Sequence, residues 1–208
     1  MISWLQITAG QGPDECAWVV ARVLEQLRRE VRDVGCEIRL LEAIQGGEPQ
    51  TLKSALVALE GDGLERFIES WQGTIQWVGT SPFRPHHKRR NWFVGARAFR
   101  PTEKTAWNPS DLRIECMRSS GPGGQHTNKT ESAVRVTHVP TGVSAIAQEE
   151  RSQHLNRKLA LSRLADSLNQ ADRQAGQQQQ KERWTCHITL ERGNPVRVYQ
   201  GPKFQRRR

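Results

Sequence analysis

The stretch Arg118-Ser119-Ser120-Gly121-Pro122-Gly123-Gly124-Gln125-His126-Thr127-Asn128-Lys129-Thr130 sets three glycines and a proline into the four positions 121–124. Neither a helix interior nor a packed strand accommodates that run, so it reads as an exposed loop with some φ > 0 positions. Such a loop lets backbone N–H groups come close to a ligand. It holds no Cys, Asp or Glu before Glu131, hence neither a thiol nucleophile nor a carboxylate base. Outward from the loop the pattern alternates on both sides. Asp111 to Met117 leads in and Ser132 to His138 leads out as half-buried strands, Pro140-Thr141-Gly142 turns the chain, and Val143 to Ala147 returns. A long helix capped by Ser152, with Leu155, Leu159, Leu164 and Leu168 on one side, would back this small sheet and leave the loop at the tip of a compact module. The low-complexity run Gln174 to Gln180 marks the end of that helix or a linker.

Upstream, Ile2 to Thr8 reads as a strand ended by the turn Ala9-Gly10-Gln11-Gly12-Pro13. Asp14 is placed to cap a helix whose apolar stripe is Cys16, Val20, Val23, Leu24, Leu27, Val31 and Val34, a core face that Gly35 ends. Strands are expected at Cys36 to Leu40, Leu52 to Glu60 and Thr74 to Val78, with a short helix around Leu64 to Trp71. Alternating strands and helices indicate an α+β layer with one helix-covered face. After the long helix, Trp184 to Leu190 and Pro195 to Tyr199 read as two strands returning to the first sheet. Gly201 to Arg208 reads as a basic tail.

The formal charge of +9 over 208 residues predicts an acidic partner, nucleic acid first. No apolar run reaches the length of a membrane span and the N-terminus lacks a signal-peptide pattern, so a cytoplasmic protein is expected. Cys16, Cys36, Cys116 and Cys186 form no Cys-x-x-Cys pair, which argues against zinc and for reduced, mostly buried thiols; no metal and no cofactor are expected. The segment Ser81-Pro82-Phe83-Arg84-Pro85-His86-His87-Lys88-Arg89-Arg90-Asn91-Trp92-Phe93 mixes cations, imidazoles and aromatic rings without an acid. That composition suits phosphate contacts plus stacking on unpaired bases, and a solvated basic turn equally.

Gly123-Gly124-Gln125, followed by His-Thr-Asn-Lys-Thr-Glu-Ser-Ala-Val-Arg-Val-Thr-His-Val-Pro-Thr-Gly, resembles the catalytic loop and following strand of bacterial class I peptide chain release factors. Glu149 to Asn156 resembles the same family's next segment, and Ala9, Gly10, Gly12, Glu15 and Trp18 are similar to the start of its codon-recognition domain. The resemblance implies two domains: a decoding-like α/β domain at 1–107, a Gly-Gly-Gln-bearing sheet-plus-helix domain at 108–180 inserted into it, and C-terminal strands and tail at 181–208. The chain starts where the second domain of ordinary members starts. Ser81-Pro82-Phe83 is similar to the tripeptide with which one branch reads a stop codon. Aligned without gaps, the family's base-stacking histidine falls on Arg90, its threonine for the third base on Asn91, and its glycines on His86 and His87.

The function so implied is hydrolysis of the ester joining a nascent peptide to transfer RNA on the ribosome. The resemblance gives Gln125 the catalytic backbone amide, with Gly123 and Gly124 permitting its approach, and makes the Gln125 side chain a target for a glutamine methyltransferase. The expected partners are the ribosomal RNA of the decoding and peptidyl-transferase centres, peptidyl-tRNA and mRNA, met by a monomer. Ser81, Pro82, Phe83, His86, His87, Lys88, Arg89, Arg90, Asn91 and Trp92 would face the decoding centre. Arg118, His126, Asn128, Lys129, Arg151 and His154, with Arg157, Lys158 and Arg163 beyond them, would contact RNA near the catalytic loop. An intact Gly-Gly-Gln beside altered reading positions points to rescue of stalled or decoding-centre-damaged ribosomes. Stop-codon-specific termination and non-catalytic RNA binding are the competing readings.

Overall fold

The computed structural model describes residues 2–101, 108–119 and 131–207. In chain order the elements are β1 (Ile2–Thr8), α1 (Asp14–Asp33), β2 (Glu37–Gln45), β3 (Leu52–Glu60), α2 (Leu64–Glu69), β4 (Gly73–Val78), β5 (Asn91–Phe99), a 3-10 turn (Pro109–Asp111), β6 (Leu112–Met117), β7 (Ala133–His138), β8 (Ser144–Ala147), α3 (Gln153–Ile188), β9 (Arg197–Gln200) and β10 (Gln205–Arg206). Helix and strand are thus mixed along the chain. They fall into two compact units, one formed by Met1–Pro101 with Gln180–Arg208 and the other by Thr102–Gln179.

The first unit is built on a seven-stranded sheet in the order β10-β9-β4-β5-β1-β3-β2, antiparallel except where β9 runs parallel to β4. One face carries α1, whose Cys16, Val20, Val23, Leu24, Leu27 and Val31 are buried against Leu5, Ile7, Val57, Leu59, Ile75 and Val94. Each fully buried aliphatic of that stripe contributes about 1.5–3 kcal/mol relative to exposure. Val34 falls outside the stripe as the exposed C-cap, and Gly35 follows at φ 70°, a left-handed position that favours glycine. Asp14 does not cap α1. Pro13 occupies the cap position, and Asp14 Oδ1 instead accepts a hydrogen bond from Gly47 N–H at 3.3 Å.

β9 and β10 are tied to this core by a buried Arg197. Its guanidinium donates to both Glu30 oxygens at 2.8 and 3.0 Å and to Ser70 O and Oγ at 2.9 Å, while lying 3.7 Å from the Trp71 ring centroid. Phe204 is buried too, stacked on Tyr199 at 4.3 Å, and β10 pairs with β9 beyond it, so the C-terminal segment expected as a basic tail is packed structure through Arg206.

The second unit is the three-stranded antiparallel sheet β6-β7-β8 backed by α3, with Val134, Val136, Ala147, Ala160, Leu164 and Leu168 as its core. Leu155, expected on the buried side, is exposed; the buried residue of that turn is the neighbouring Asn156. α3 continues through Gln174–Gln180, because Gln and Ala are adequate helix formers and the single Gly176 costs only about 1 kcal/mol. It also absorbs Trp184 to Ile188, which therefore form helix and not the expected strand. These last turns belong to the first unit. There Cys186 is buried, and the His187 ring bonds Thr8 Oγ1 through Nδ1 at 2.6 Å and Gln6 Nε2 through Nε2 at 3.0 Å. Burial, then the Arg183 charge, holds the His187 pKa below the usual imidazole value. Of the four cysteines, Cys116 is exposed.

Candidate functional site

Residues 79–90 connect β4 to β5, and the neck of this connection is closed by Gly79 N–H donating to Arg90 O at 2.9 Å. Asn91 to Phe93, expected from composition in a basic turn, are the first residues of a strand, with Trp92, Val94 and Ala96 alternately buried. Trp92 is accordingly a buried pillar and not an exposed stacking platform. Its indole N–H donates to Gly79 O at 3.0 Å. Around its ring lie Arg89 at 4.8 Å, His87 at 5.6 Å and Arg84 at 5.8 Å, an arrangement that gathers two of the turn's own guanidinium groups at one aromatic ring. Arg89 is further held by its Nε donating to Asn91 O at 2.9 Å, and its N–H donates to His87 Nδ1 at 3.1 Å.

The other anchor is Glu15, which the sequence reading named only as part of a motif. It lies in the first turn of α1 and is 1% exposed, facing the turn. Glu15 Oε1 accepts from Ser81 Oγ at 2.6 Å and from Arg84 Nε at 2.7 Å, and Oε2 accepts from Arg84 Nη2 at 2.8 Å. Ser81 Oγ in turn accepts the N–H groups of Phe83 at 3.2 Å and Arg84 at 2.9 Å. Burial opposes the Glu15 charge, but the hydrogen bonds from Arg84 and Ser81 outweigh it and hold the carboxyl below the usual carboxylate range. Besides the half-exposed Arg84, the outward residues of the turn are Pro82, Pro85, His86, Lys88 and Arg90. The side chains of Lys88 and Arg90 make no hydrogen bond or ion pair among the described residues. His86 adopts φ 61°, a left-handed conformation that costs a non-glycine residue about 1–2 kcal/mol. Asn91 Oδ1 accepts from Gln76 Nε2 at 3.0 Å.

In the second unit, Gly123, Gly124, Gln125, His126, Asn128 and Lys129 lie outside the described residues, whereas the neck leading to them is described. Ser119 Oγ and Ser132 Oγ bond at 3.0 Å just beyond the last strand pair, Met117 with Ala133. Asn156, wholly buried, donates through Nδ2 to Ser132 O at 2.7 Å and Glu150 O at 2.9 Å and accepts Glu150 N–H at 3.0 Å. Arg118, Arg151 and His154 are exposed, as are Arg157 and Lys158, whereas Arg163 is committed to Glu149 and to Ile146 O at 2.8 Å each. A hollow of about 310 Å³, lined among others by Gln6, Thr74, Arg97 and Cys186, contains none of the catalytic or RNA-contact candidates read from the sequence. Among the described residues no group of three His, Cys, Asp or Glu side chains is placed to hold a metal, and no helix is long and apolar enough to cross a membrane.

A family model described as "RF-1 domain" matches residues 101–206. The chain is 44% identical over 201 residues to a peptide chain release factor homolog of Escherichia coli, covering 96% of this chain and 97% of that one. The chain belongs to the class I peptide chain release factor family. Within that release factor family it is also 33% identical over 200 residues to peptide chain release factor 2 of Thermosipho africanus, covering 95% of this chain and 54% of that protein, so it spans about half the length of such relatives. RF2 of Thermus thermophilus matches 97% of this chain and 58% of its own at 29% identity, with a TM-score of 0.48. Glu15 and Asn156 stand in the sequence only as members of resembling segments, with no anchoring role assigned to either. Both are polar groups buried by partners distant in sequence. The one visible signal was that Glu15 falls on the same face of α1 as Val19 and Val23, where an acid needs a partner.

Proposed function

We propose that this release factor family member hydrolyses the peptidyl-tRNA ester on the ribosome, through Gly123, Gly124 and Gln125, and that it acts on stalled or decoding-centre-damaged ribosomes. The observation that carries the hydrolysis is the intact Gly-Gly-Gln inside the matched region 101–206 of a chain that aligns over nearly its full length with a release factor homolog. The Gln125 backbone N–H would stabilise the developing oxyanion or the departing ribose oxygen, a contribution of roughly 3–4 kcal/mol for one well-placed donor. Its side chain would shape a pocket that admits water, and is the candidate for methylation. The loop carries no carboxylate or thiol before Glu131 and no general base is expected from the protein, so ribosomal RNA and the terminal ribose of the transfer RNA would supply the rest, and placement at the peptidyl-transferase centre much of the rate.

Rescue is favoured by the reading positions. Arg90 stands outward with no side-chain partner among the described residues, and Asn91 is committed to Gln76, where the family resemblance places a stacking histidine and a base-reading threonine. His86, Lys88, Arg90, Arg118, Arg151 and His154 are the exposed groups that would meet RNA phosphates, in a monomeric cytoplasmic protein with 1–107, 108–180 and 181–208 as its working parts. Stop-codon termination is the second reading, favoured by Ser81-Pro82-Phe83 and the likeness to release factors 2.

The test loads ribosomes with labelled peptidyl-tRNA and varies the A-site codon and the integrity of the decoding-centre RNA. Release should survive sense or absent codons and fall by about 10²–10³ in Gly124→Ala with binding retained. Release confined to stop codons would select termination, and full activity in Gly124→Ala would reject the catalytic loop.

A further inference from the structure

A serine hydroxyl has one proton and two lone pairs. In Ser81 all three are spent within the fold, the proton on Glu15 Oε1 and the lone pairs on the N–H groups of Phe83 and Arg84. Glu15 is buried in the first turn of α1, where the helix favours negative charge, and Arg84 fills its remaining oxygen. An RNA acceptor or donor that engaged Ser81 would have to displace a 2.6 Å charge-assisted bond and leave a buried carboxylate short of a donor.

We propose that Glu15 makes Ser81 an internal clasp and not a base-reading hydroxyl, so that the 81–90 turn keeps one shape whatever nucleotide lies opposite it. Discrimination then passes to the outward Lys88 and Arg90. The Ser-Pro-Phe tripeptide is explained by what the clasp requires: a hydroxyl that accepts the N–H groups two and three residues on, and a proline that fixes φ at the next position. Arg84, which by composition belongs with the RNA-binding cations, is instead the clasp's counter-ion. The clasp stands on the geometry of the first unit alone, and the proposed release activity enters only where codons are compared.

Two measurements on the full chain test it. In limited tryptic digestion followed by mass spectrometry, cleavage after Lys88, Arg89 and Arg90 should quicken by at least about fivefold in Ser81→Ala and Glu15→Ala, while cleavage after Arg66 stays at the wild-type rate. Ser81→Thr, which keeps the hydroxyl, should return to the wild-type rate, and Glu15→Gln should fall between. Wild-type cleavage in Glu15→Ala would overturn the clasp. In equilibrium binding to ribosomes programmed with a stop or a sense codon, Ser81→Ala should weaken both by the same factor, leaving their ratio within about twofold of wild type. A stop-to-sense ratio that drops about tenfold in Ser81→Ala would make the serine a reader and overturn the proposal. Because binding and proteolysis are read, a chain that binds but releases no peptide would defeat the hydrolytic function without touching the clasp.

Discussion

The turn between β4 and β5 and the neck leading into residues 120–130 both fix the ends of a loop, with opposite chemistry. The turn closes on an ionised carboxylate, Glu15, shared between a hydroxyl and a half-exposed guanidinium. The neck closes on a neutral amide, Asn156, whose donors meet two carbonyls and whose oxygen meets an N–H. A neutral clamp holds at any pH at which the protein folds, whereas a charged one titrates. The turn proposed to meet the decoding centre is therefore held by a clamp that weakens in acid, and the neck of the loop proposed to carry the chemistry by groups that do not respond to charge.

The sharpest way to break that contrast is to put a charge into the neck. Asn156→Asp at neutral pH faces a carboxylate with the carbonyls of Ser132 and Glu150, and should destabilise the second unit by about 3–4 kcal/mol, read from denaturant unfolding. Part of that loss should return on acidification, when the introduced carboxyl regains a proton to donate. Asn156→Ala, which only strands the backbone groups, should cost about 2–3 kcal/mol with no such pH dependence.

At the turn, Glu15→Gln should cost about 2 kcal/mol near neutral pH, the worth of hydrogen bonds to a charged group. Folded Glu15 titrates below an unfolded glutamate. Its contribution is thus fully present above the unfolded value and is lost as pH falls through the folded one, so wild type and Glu15→Gln should converge in acid. A constant gap across that range would show that Glu15 acts by shape alone. Lys88→Ala and Arg90→Ala should each flatten the salt dependence of ribosome binding by roughly 0.7–0.9 in slope if they meet phosphate, without affecting stability. The smallest effect is expected at His86, where His86→Gly should raise the unfolding midpoint by relieving about 1 kcal/mol of left-handed strain.

The reach of the sequence follows the range of the interactions. The α1 stripe and the strands β1, β3, β4, β6 and β7 are written in local periodicity and were legible. β5 was hidden because its first residues continue a basic run, although Trp92, Val94 and Ala96 carry the alternation. α3 was cut short because a glutamine run was read as a break, when nothing in Gln or Ala opposes a helix. Glu15 lies 66 residues from Ser81 and 69 from Arg84, so no local pattern announces that contact. Trp92 looked like an RNA platform because composition cannot tell which face of a strand a tryptophan takes.

The parallel pairing of β9 with β4 has a bearing on how the chain is made. A polypeptide emerging from its N-terminus would expose the free edge of β4 and leave Glu30 without its Arg197 partner and the core without Tyr199 and Phe204 until those residues had been synthesised. The first unit can complete its sheet only after the whole second unit has been synthesised, so β9 and β10 close that fold late and the β4 edge stays open to mispairing until they arrive.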